Sequence, residues 1–167
     1  EKGTLTVMVG GDRTAFEHAK PFIQAFADRI EHVGESGSGF AVKAVNNTLM
    51  ATHLWALAEG LTVLKAKGVD LSAALSCINH SSGKSNMSEQ IMAQRVLSRR
   101  FDKTFALDLL QKDIGIASDL MHQENLNLAT LQLMQSQFNL FEKSQASGMD
   151  FSASIQALEK INAIRLE

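Results

Sequence analysis

Residues 37–47, GSGFAVKAVNN, decide how this chain is interpreted, because they open a long helical run that carries almost no charge. Over residues 37–58, Lys43 is the only aspartate, glutamate, lysine or arginine. Positions i, i+3 and i+4 of a helix share a face, so Lys43, Asn46 and Asn47 project together. The spacing therefore predicts one polar site on a helix that is otherwise apolar.

The other faces of this helix are predicted to be buried among further elements. They carry Phe40, Val42, Val45, Leu49, Leu54 and Trp55. Gly39 lies one turn before Lys43, where its missing side chain lets another group approach the backbone. A lone lysine on a helix is often solvated, with its stem covering apolar surface, whereas a buried ammonium needs partners or a task. The spacing alone leaves both interpretations of Lys43 open.

The chain divides into two unequal parts, which we expect at residues 1–35 and 36–167. The first part is expected to hold a strand, a helix and a second strand, and the second part is expected to be helical throughout. The three elements of the first part are predicted at 4–9, from Asp12 or Thr14 to about Ala27, and at 29–33.

Six helices are predicted after residue 36. Gly68 is expected to end the first helix, and Asp70 is expected to cap the second. At about 1.5 Å per residue the first helix would be roughly 45 Å long, which suits a helix that joins two domains. The predicted helices cover 38–67, 72–79, Ser85 or Asn86 to Ser98, 105–123, 129–146, and Asp150 or Ser152 to about 164.

Composition and charge exclude several function classes. The 167 residues are 45% hydrophobic, enough to bury one sizeable core, and the net charge of −2 gives no electrostatic basis for binding nucleic acid or an anionic membrane. Residues 37–58 have the length of a membrane span, but Lys43 and its neighbouring amides argue against one, and no secretory signal precedes them.

The single cysteine, Cys77, excludes an internal disulfide and is expected to be a core residue of a cytoplasmic protein. The histidines show neither the spacing of metal ligands nor a His-Glu-x-x-His pattern, so no metal is expected. Gly83-Lys84-Ser85 suggests a phosphate-binding loop, but that motif requires a glycine where Ile78 stands.

Three segments together resemble the β-hydroxyacid dehydrogenases, the family that contains 3-hydroxyisobutyrate dehydrogenase, tartronate semialdehyde reductase and L-threonate dehydrogenase. Residues 37–47, entered through Val33-Gly34, resemble the catalytic-lysine signature of that family. Residues 3–11, GTLTVMVGG, resemble a strand late in its nucleotide-binding domain, and residues 110–117, LQKDIGIA, resemble its Lys-Asp helix motif. The resemblance covers residues 3–157.

This resemblance implies hydride transfer between NAD or NADP and a small acid that bears a β-hydroxyl or the matching carbonyl. It implies that Lys43 is the catalytic acid/base, that Asn47 holds the substrate together with Asn46 and Gly39, and that Lys112 contacts the cofactor or the substrate carboxylate. Hydride leaving a carbinol carbon requires an acceptor for the hydroxyl proton, a role that suits an amine.

The resemblance also implies a fold, which we expect to be mainly α. It is a helical bundle with a long first helix, similar to the C-terminal domain of 6-phosphogluconate dehydrogenase, preceded by a strand-helix-strand remnant of a Rossmann domain. The helical domains of the family associate, so a homodimer is expected. The loop at 81–85 would lie near the cleft, where Ser82 and Gly83 either line the substrate site or merely belong to a helix-capping loop.

The chain departs from a complete enzyme in two respects. It contains no Gly-x-Gly-x-x-Gly that follows a strand and opens a helix, and it lacks the Ser-Gly-Gly substrate loop of the family. We therefore expect a C-terminal piece of a dehydrogenase that is inactive alone, with substrate and the choice between NAD and NADP left open. The alternative is a non-catalytic helical module for dimerisation or partner binding.

Overall fold

The computed structural model describes residues 5–167, which are mainly α-helical with one small sheet. This confirms the expected fold class at the level of secondary structure; Gly3 and Thr4, where the first strand was predicted to begin, lie outside the described residues. The elements are β1 (Leu5–Gly10), α1 (Arg13–Ile23), β2 (Ala27–Gly34), α2 (Ser38–Ala66), α3 (Leu71–Asn79), a π-helix (Met87–Leu97), α4 (Leu107–Gln123), α5 (Ala129–Phe138), α6 (Lys143–Ala146), a 3-10 helix (Phe151–Ser154) and α7 (Ile155–Asn162).

The first three elements form the predicted strand-helix-strand unit. Strands β1 and β2 pair in parallel, from Leu5 opposite Ala27 to Gly10 opposite Gly34, and α1 connects them. Asp12 caps α1 by accepting a hydrogen bond from the Ala15 amide at 2.8 Å. A parallel pair needs such a crossover, because a tight turn can join only antiparallel strands.

The predicted end of α1 near Ala27 is wrong. The helix ends at Ile23, and Ala27 is already the first residue of β2. Pro21 lies in the last turn of α1, where it has no N–H to donate to the Glu17 carbonyl, so the helix stops soon after it. The second strand is correspondingly longer than the predicted 29–33.

Helix α2 begins at the predicted Ser38 and ends at Ala66, one residue before the predicted end. It runs for 29 residues from Ser38, and Gly68 follows it with φ of 74°, the left-handed conformation that glycine adopts easily. Asp70 caps α3 as predicted, because its carboxylate accepts from the Ala73 amide at 2.7 Å.

Two of the later helices differ from the prediction. The expected helix at 129–146 is interrupted between α5 and α6, where the carbonyls of Phe138 and Phe141 accept hydrogen bonds from Gln111 Nε2 at 2.7 and 2.9 Å. A side chain of α4 thus donates to both carbonyls, and the Phe138 carbonyl also accepts from the Phe141 N–H at 3.2 Å. The helix expected to reach about 164 ends at Asn162, because Ala163 is left-handed with φ of 50°.

The hydrophobic core is built around the second half of α2. Leu54, Ala58 and Leu61 are fully buried there, together with residues of α3, the π-helix, α4, α5 and α7. The Trp55 indole N–H donates to Ser154 Oγ at 3.1 Å and so satisfies the polar atom of the buried ring. Cys77 is exposed, which corrects its expected place in the core: α3 buries Leu71 and Leu75, and Cys77 lies on another face.

The first half of α2 also corrects an expectation. Leu54 and Trp55 are buried as predicted, but Phe40 is 76% exposed and Leu49 is 51% exposed. Val42 and Val45 are exposed as well, and the buried stripe of these turns consists of small residues, Ala44, Thr48 and Ala51. An apolar pattern predicts that a face prefers burial, but it does not identify what covers that face.

Candidate functional site

A cleft of about 830 Å³ lies between β1 and the first turns of α2. One wall is the whole of β1, and the other belongs to α2 and the loop before it. Four of the five predicted site residues line this cleft: Gly39, Lys43, Asn46 and Asn47. Their common position on one helix face brings them together, as the spacing predicts.

Two glycines set the shape of the cleft where β1 meets α2. A Cβ added to Gly39 would collide with the Met8 carbonyl oxygen, and one added to Gly10 would lie 2.5 Å from the Glu35 carbonyl oxygen. The group that approaches the backbone of Gly39 is therefore the main chain of β1. Contact between Gly39 and a substrate remains a prediction.

Lys43 is exposed in the cleft rather than enclosed by apolar neighbours. In the part of the chain that the structure describes, no carboxylate lies within ion-pair distance of its ammonium group. The lysine is thus accessible to a ligand in the cleft, and an oxygen of an acidic ligand could approach its Nζ without displacing an internal partner.

The two asparagines are linked to helix α4. Asn46 Nδ2 donates to Asn47 Oδ1 at 3.3 Å, and Asn47 Nδ2 donates to Asp113 Oδ2 at 2.6 Å. Lys112 Nζ lies 3.3 Å from Asp113 Oδ1. Lys112 does not line the cleft; its side chain is 59% exposed, and its connection to the other predicted residues runs through Asp113.

Sequence reasoning missed Asp113, which is only 3% exposed. Asp113 lies among Leu110, Ile114 and Ala117 on the buried face of α4. Asp113 lies three residues after the buried Leu110 and four residues before the buried Ala117, so it shares their face of the helix. A carboxylate at such a position is costly to bury unless it is hydrogen-bonded. That position on the helix was the signal that could have identified it.

Ser82 and Gly83 do not line this cleft. They border a second cavity of about 730 Å³ beside the second half of α2, and the two cavities share no lining residue. Ser85 and Ser88 exchange hydrogen bonds at the start of the following helical segment: Ser88 N donates to Ser85 Oγ at 3.1 Å, and Ser85 N donates to Ser88 Oγ at 2.8 Å. The capping interpretation of the loop accounts for these contacts.

Two further findings concern residues 5–167 as a group. None of their helices combines the length and hydropathy that crossing a membrane requires. Nor do these residues place three histidine, cysteine, aspartate or glutamate side chains together as a metal site would need.

Comparison with family models matches almost the whole chain. Residues 37–158 match the model described as NAD-binding of NADP-dependent 3-hydroxyisobutyrate dehydrogenase. Residues 1–34 match the model described as the NAD binding domain of 6-phosphogluconate dehydrogenase. The first match alone covers well over half of the chain.

Curated relatives agree with these matches. The chain is 35% identical to 2-(hydroxymethyl)glutarate dehydrogenase of Eubacterium barkeri, over 98% of the chain and 54% of that protein. It is 32% identical to 2-hydroxy-3-oxopropionate reductase of Escherichia coli, over 95% of the chain and 54% of that protein. The chain therefore spans about half the length of the relatives it matches.

A solved structure has the same fold. The 3-hydroxyisobutyrate dehydrogenase of Mycobacterium tuberculosis, described with L-serine, superimposes with a TM-score of 0.83 at 25% identity. The superposition covers 93% of this chain and 55% of that protein.

Proposed function

The chain belongs to the NAD-binding 3-hydroxyisobutyrate dehydrogenase family, and we propose that it is the substrate-side part of an NAD(P)-dependent dehydrogenase acting on a small β-hydroxy acid or the matching carbonyl compound. The observation that carries this proposal is the cleft in which Lys43, Asn46 and Asn47 face β1. We place residues 1–35 in the dinucleotide-binding domain and residues 36–167 in the catalytic-lysine domain.

In this proposal Lys43 is the general acid/base. A nicotinamide cofactor, when bound, would supply the hydride acceptor for oxidation of the carbinol carbon and the hydride donor for reduction of the carbonyl. The free amine of Lys43 takes the hydroxyl proton during oxidation, and its ammonium returns a proton to the carbonyl oxygen during reduction. Asn47, with Asn46 and Gly39 beside it, holds the acid so that its hydroxyl faces this group.

Among residues 5–167, the donor groups that line the cleft fit the reacting end of a dinucleotide. An ammonium and two amides beside an open cleft suit a small acid and a nicotinamide ring. The pyrophosphate has no comparable place at the turn between β1 and α1, because Asp12 puts a carboxylate at the start of that helix, where a phosphate would need free N–H donors. We therefore propose that the chain alone turns over no substrate.

The role of Lys112 in this proposal is contact with the cofactor or with the substrate carboxylate. Its exposed ammonium lies next to Asp113, and Asp113 in turn accepts a hydrogen bond from Asn47. The substrate stays open among hydroxyisobutyrate, tartronate semialdehyde, L-threonate, 2-(hydroxymethyl)glutarate and related acids. The coenzyme is NAD or NADP.

The test is a dehydrogenase assay of the full-length parent protein with a panel of these acids and both cofactors. Lys43→Met keeps the length of the side chain but removes the amine, so we expect turnover to be lost while cofactor affinity is retained. Lys160→Met, an exposed lysine of α7, is the matched control and should leave turnover unchanged. Activity that survives in Lys43→Met would contradict the assigned role.

We further propose a homodimer formed through the helices, in a cytoplasmic enzyme. Exposed apolar side chains along α2, including Leu49 and Val63, support association with another surface. Size-exclusion chromatography across a dilution series tests the assembly, and a monomer at micromolar concentration would contradict it. The same exposed side chains favour the second candidate, a non-catalytic dimerisation or binding module, which a stable dimer without turnover of any acid would support.

A further inference from the structure

We propose that Asp113 is a positioning residue that orients Asn47 toward the substrate, and that Lys112 serves the site by balancing the charge of Asp113. This inference rests on the proposed function. It assigns a role to a residue outside the cleft, and it offers an indirect role for Lys112 as the alternative to the direct contact with the cofactor or the substrate carboxylate given above.

The first step of the argument is the fixed orientation of Asn47. One end of its amide donates from Nδ2 to Asp113 at 2.6 Å, and the other end accepts at Oδ1 from Asn46 at 3.3 Å. Turning the amide over would break both contacts, because a carbonyl oxygen would then face the Asp113 carboxylate. The second hydrogen on Nδ2 has no acceptor among residues 5–167, so it can donate to a ligand oxygen.

The second step concerns charge. Asp113 is buried and carries a carboxylate one hydrogen bond away from a cleft that we assign to an anionic acid. Uncompensated, that carboxylate would repel the substrate. Lys112 Nζ lies 3.3 Å from the other oxygen of Asp113, and opposite charges at this distance offset each other. Asp113 can therefore orient Asn47 without making the site negative.

A purely structural role is the competing explanation, because Asp113 and Asn47 also join α4 to α2. Both explanations predict that the effect of replacing Asp113 disappears once Asn47 has been removed, because one hydrogen bond serves both roles. They differ in which measured quantities change. A positioning role raises KM for the acid and leaves the cofactor Kd and the free energy of unfolding nearly unchanged, whereas a merely structural role lowers the free energy of unfolding and changes kcat and the cofactor Kd together with KM.

The experiment measures KM and kcat of the full-length parent for the acid that it turns over. We expect Asp113→Leu, which keeps the branched shape of the side chain but removes the acceptor, to raise KM by about tenfold or more, the size expected for a lost charge-assisted hydrogen bond. Asp113→Asn should have a smaller effect. In the Asn47→Ala background, Asp113→Leu should add less than about twofold. Asp119→Asn, on an exposed face of α4, is the matched control.

Lys112→Met separates the two roles of that lysine. Charge balance predicts a higher KM for the acid with an unchanged Kd for the cofactor, and the increase should shrink as ionic strength rises. A weaker cofactor Kd would overturn the indirect role. Additive effects of Asp113→Leu and Asn47→Ala, or an unchanged KM in Asp113→Leu, would overturn the positioning role even when Lys43→Met still abolishes turnover. A parent without turnover would overturn this inference together with the proposed function.

A second measurement does not depend on activity. The side-chain amide of Asn47 gives two proton signals in the NMR spectrum of the 167-residue chain, and the proton that faces Asp113 should be shifted downfield by its charged acceptor. Asp113→Leu should remove this difference while the backbone signals of α2 and α4 stay in place. A spectrum in which the Asn47 amide signals do not move would contradict the inference.

Discussion

The two halves of α2 belong to one continuous helix but have different surroundings. Beyond residue 50, the helix supplies the centre of the core and Leu54 is completely buried. Before residue 50, the same helix borders the cleft. The buried residues of that half are small, and Leu49 is half exposed. The difference shows that one helix can be fixed by the core along its second half and leave an open cleft beside its first half, where packing is incomplete.

The test with the largest expected effect replaces one leucine by alanine in each half of α2. Leu54→Ala should lower the free energy of unfolding by about 2–5 kcal/mol, because it leaves a cavity in the core. Leu49→Ala should change it by no more than about 0.5 kcal/mol, because the side chain is already largely in water. Urea denaturation of the two variants measures both values. Similar losses would mean that the halves do not differ in packing.

The next test uses two glycines of the same helix. Gly39→Ala places a methyl group against the Met8 carbonyl and should cost about 1–3 kcal/mol of unfolding free energy. Gly60→Ala, whose added methyl would meet no atom within 4 Å, should instead stabilise the chain by about 0.5–1 kcal/mol through the higher helix propensity of alanine. In thermal and urea unfolding, the free energy of unfolding should fall in Gly39→Ala and rise in Gly60→Ala. Changes of the same sign in both variants would mean that the contact between α2 and β1 has no special role.

The smallest effect concerns pH and lies away from the cleft. Burial would raise the pKa of Asp150, but hydrogen bonds from Ser152, Thr104 and Phe105 outweigh burial and hold the pKa below its usual value. Because the folded-state pKa is lowered, Asp150 contributes stability above the unfolded pKa of about 3.9, and this contribution is lost as pH falls through the folded value. Unfolding free energy measured from pH 6 downward should decline, through this group, only below about pH 4.

Asp150→Asn is the control for this pH dependence. The variant should be less stable at neutral pH, and it should lose stability less steeply in acid, because the titrating group is absent. A decline identical to that of the unchanged chain would mean that other carboxylates account for the acid response. The site half of α2 holds no such buried carboxylate; there the nearest one is Asp113, on α4.

Local signals explain why some features could be predicted from the sequence. The C-terminal end of α2 and the cap of α3 depend on Gly68 and Asp70, whose effects reach only a few residues along the chain. The common face of Lys43, Asn46 and Asn47 follows from helical geometry alone. These features needed no knowledge of what packs against the helix.

Features that depend on distant contacts could not be predicted in this way. The interruption between α5 and α6 is made by Gln111, a residue of another helix. The burial of Asp113 could have been inferred from its position on α4, but its hydrogen-bond partner, Asn47, lies 66 residues away. The exposure of Phe40 depends on what lies opposite it in space, and a pattern of apolar residues is equally compatible with a covered or an open face.

The contact between Gly10 and Gly39 has a mechanical consequence. Main chain meets main chain there, with no side chain between them that could change rotamer and absorb a displacement. Strand β1 and the first turn of α2 should therefore move as one rigid piece, and the width of the cleft is set by backbone geometry. Substitution of the lining side chains could therefore change which ligand fits the cleft without altering the backbone frame that encloses it.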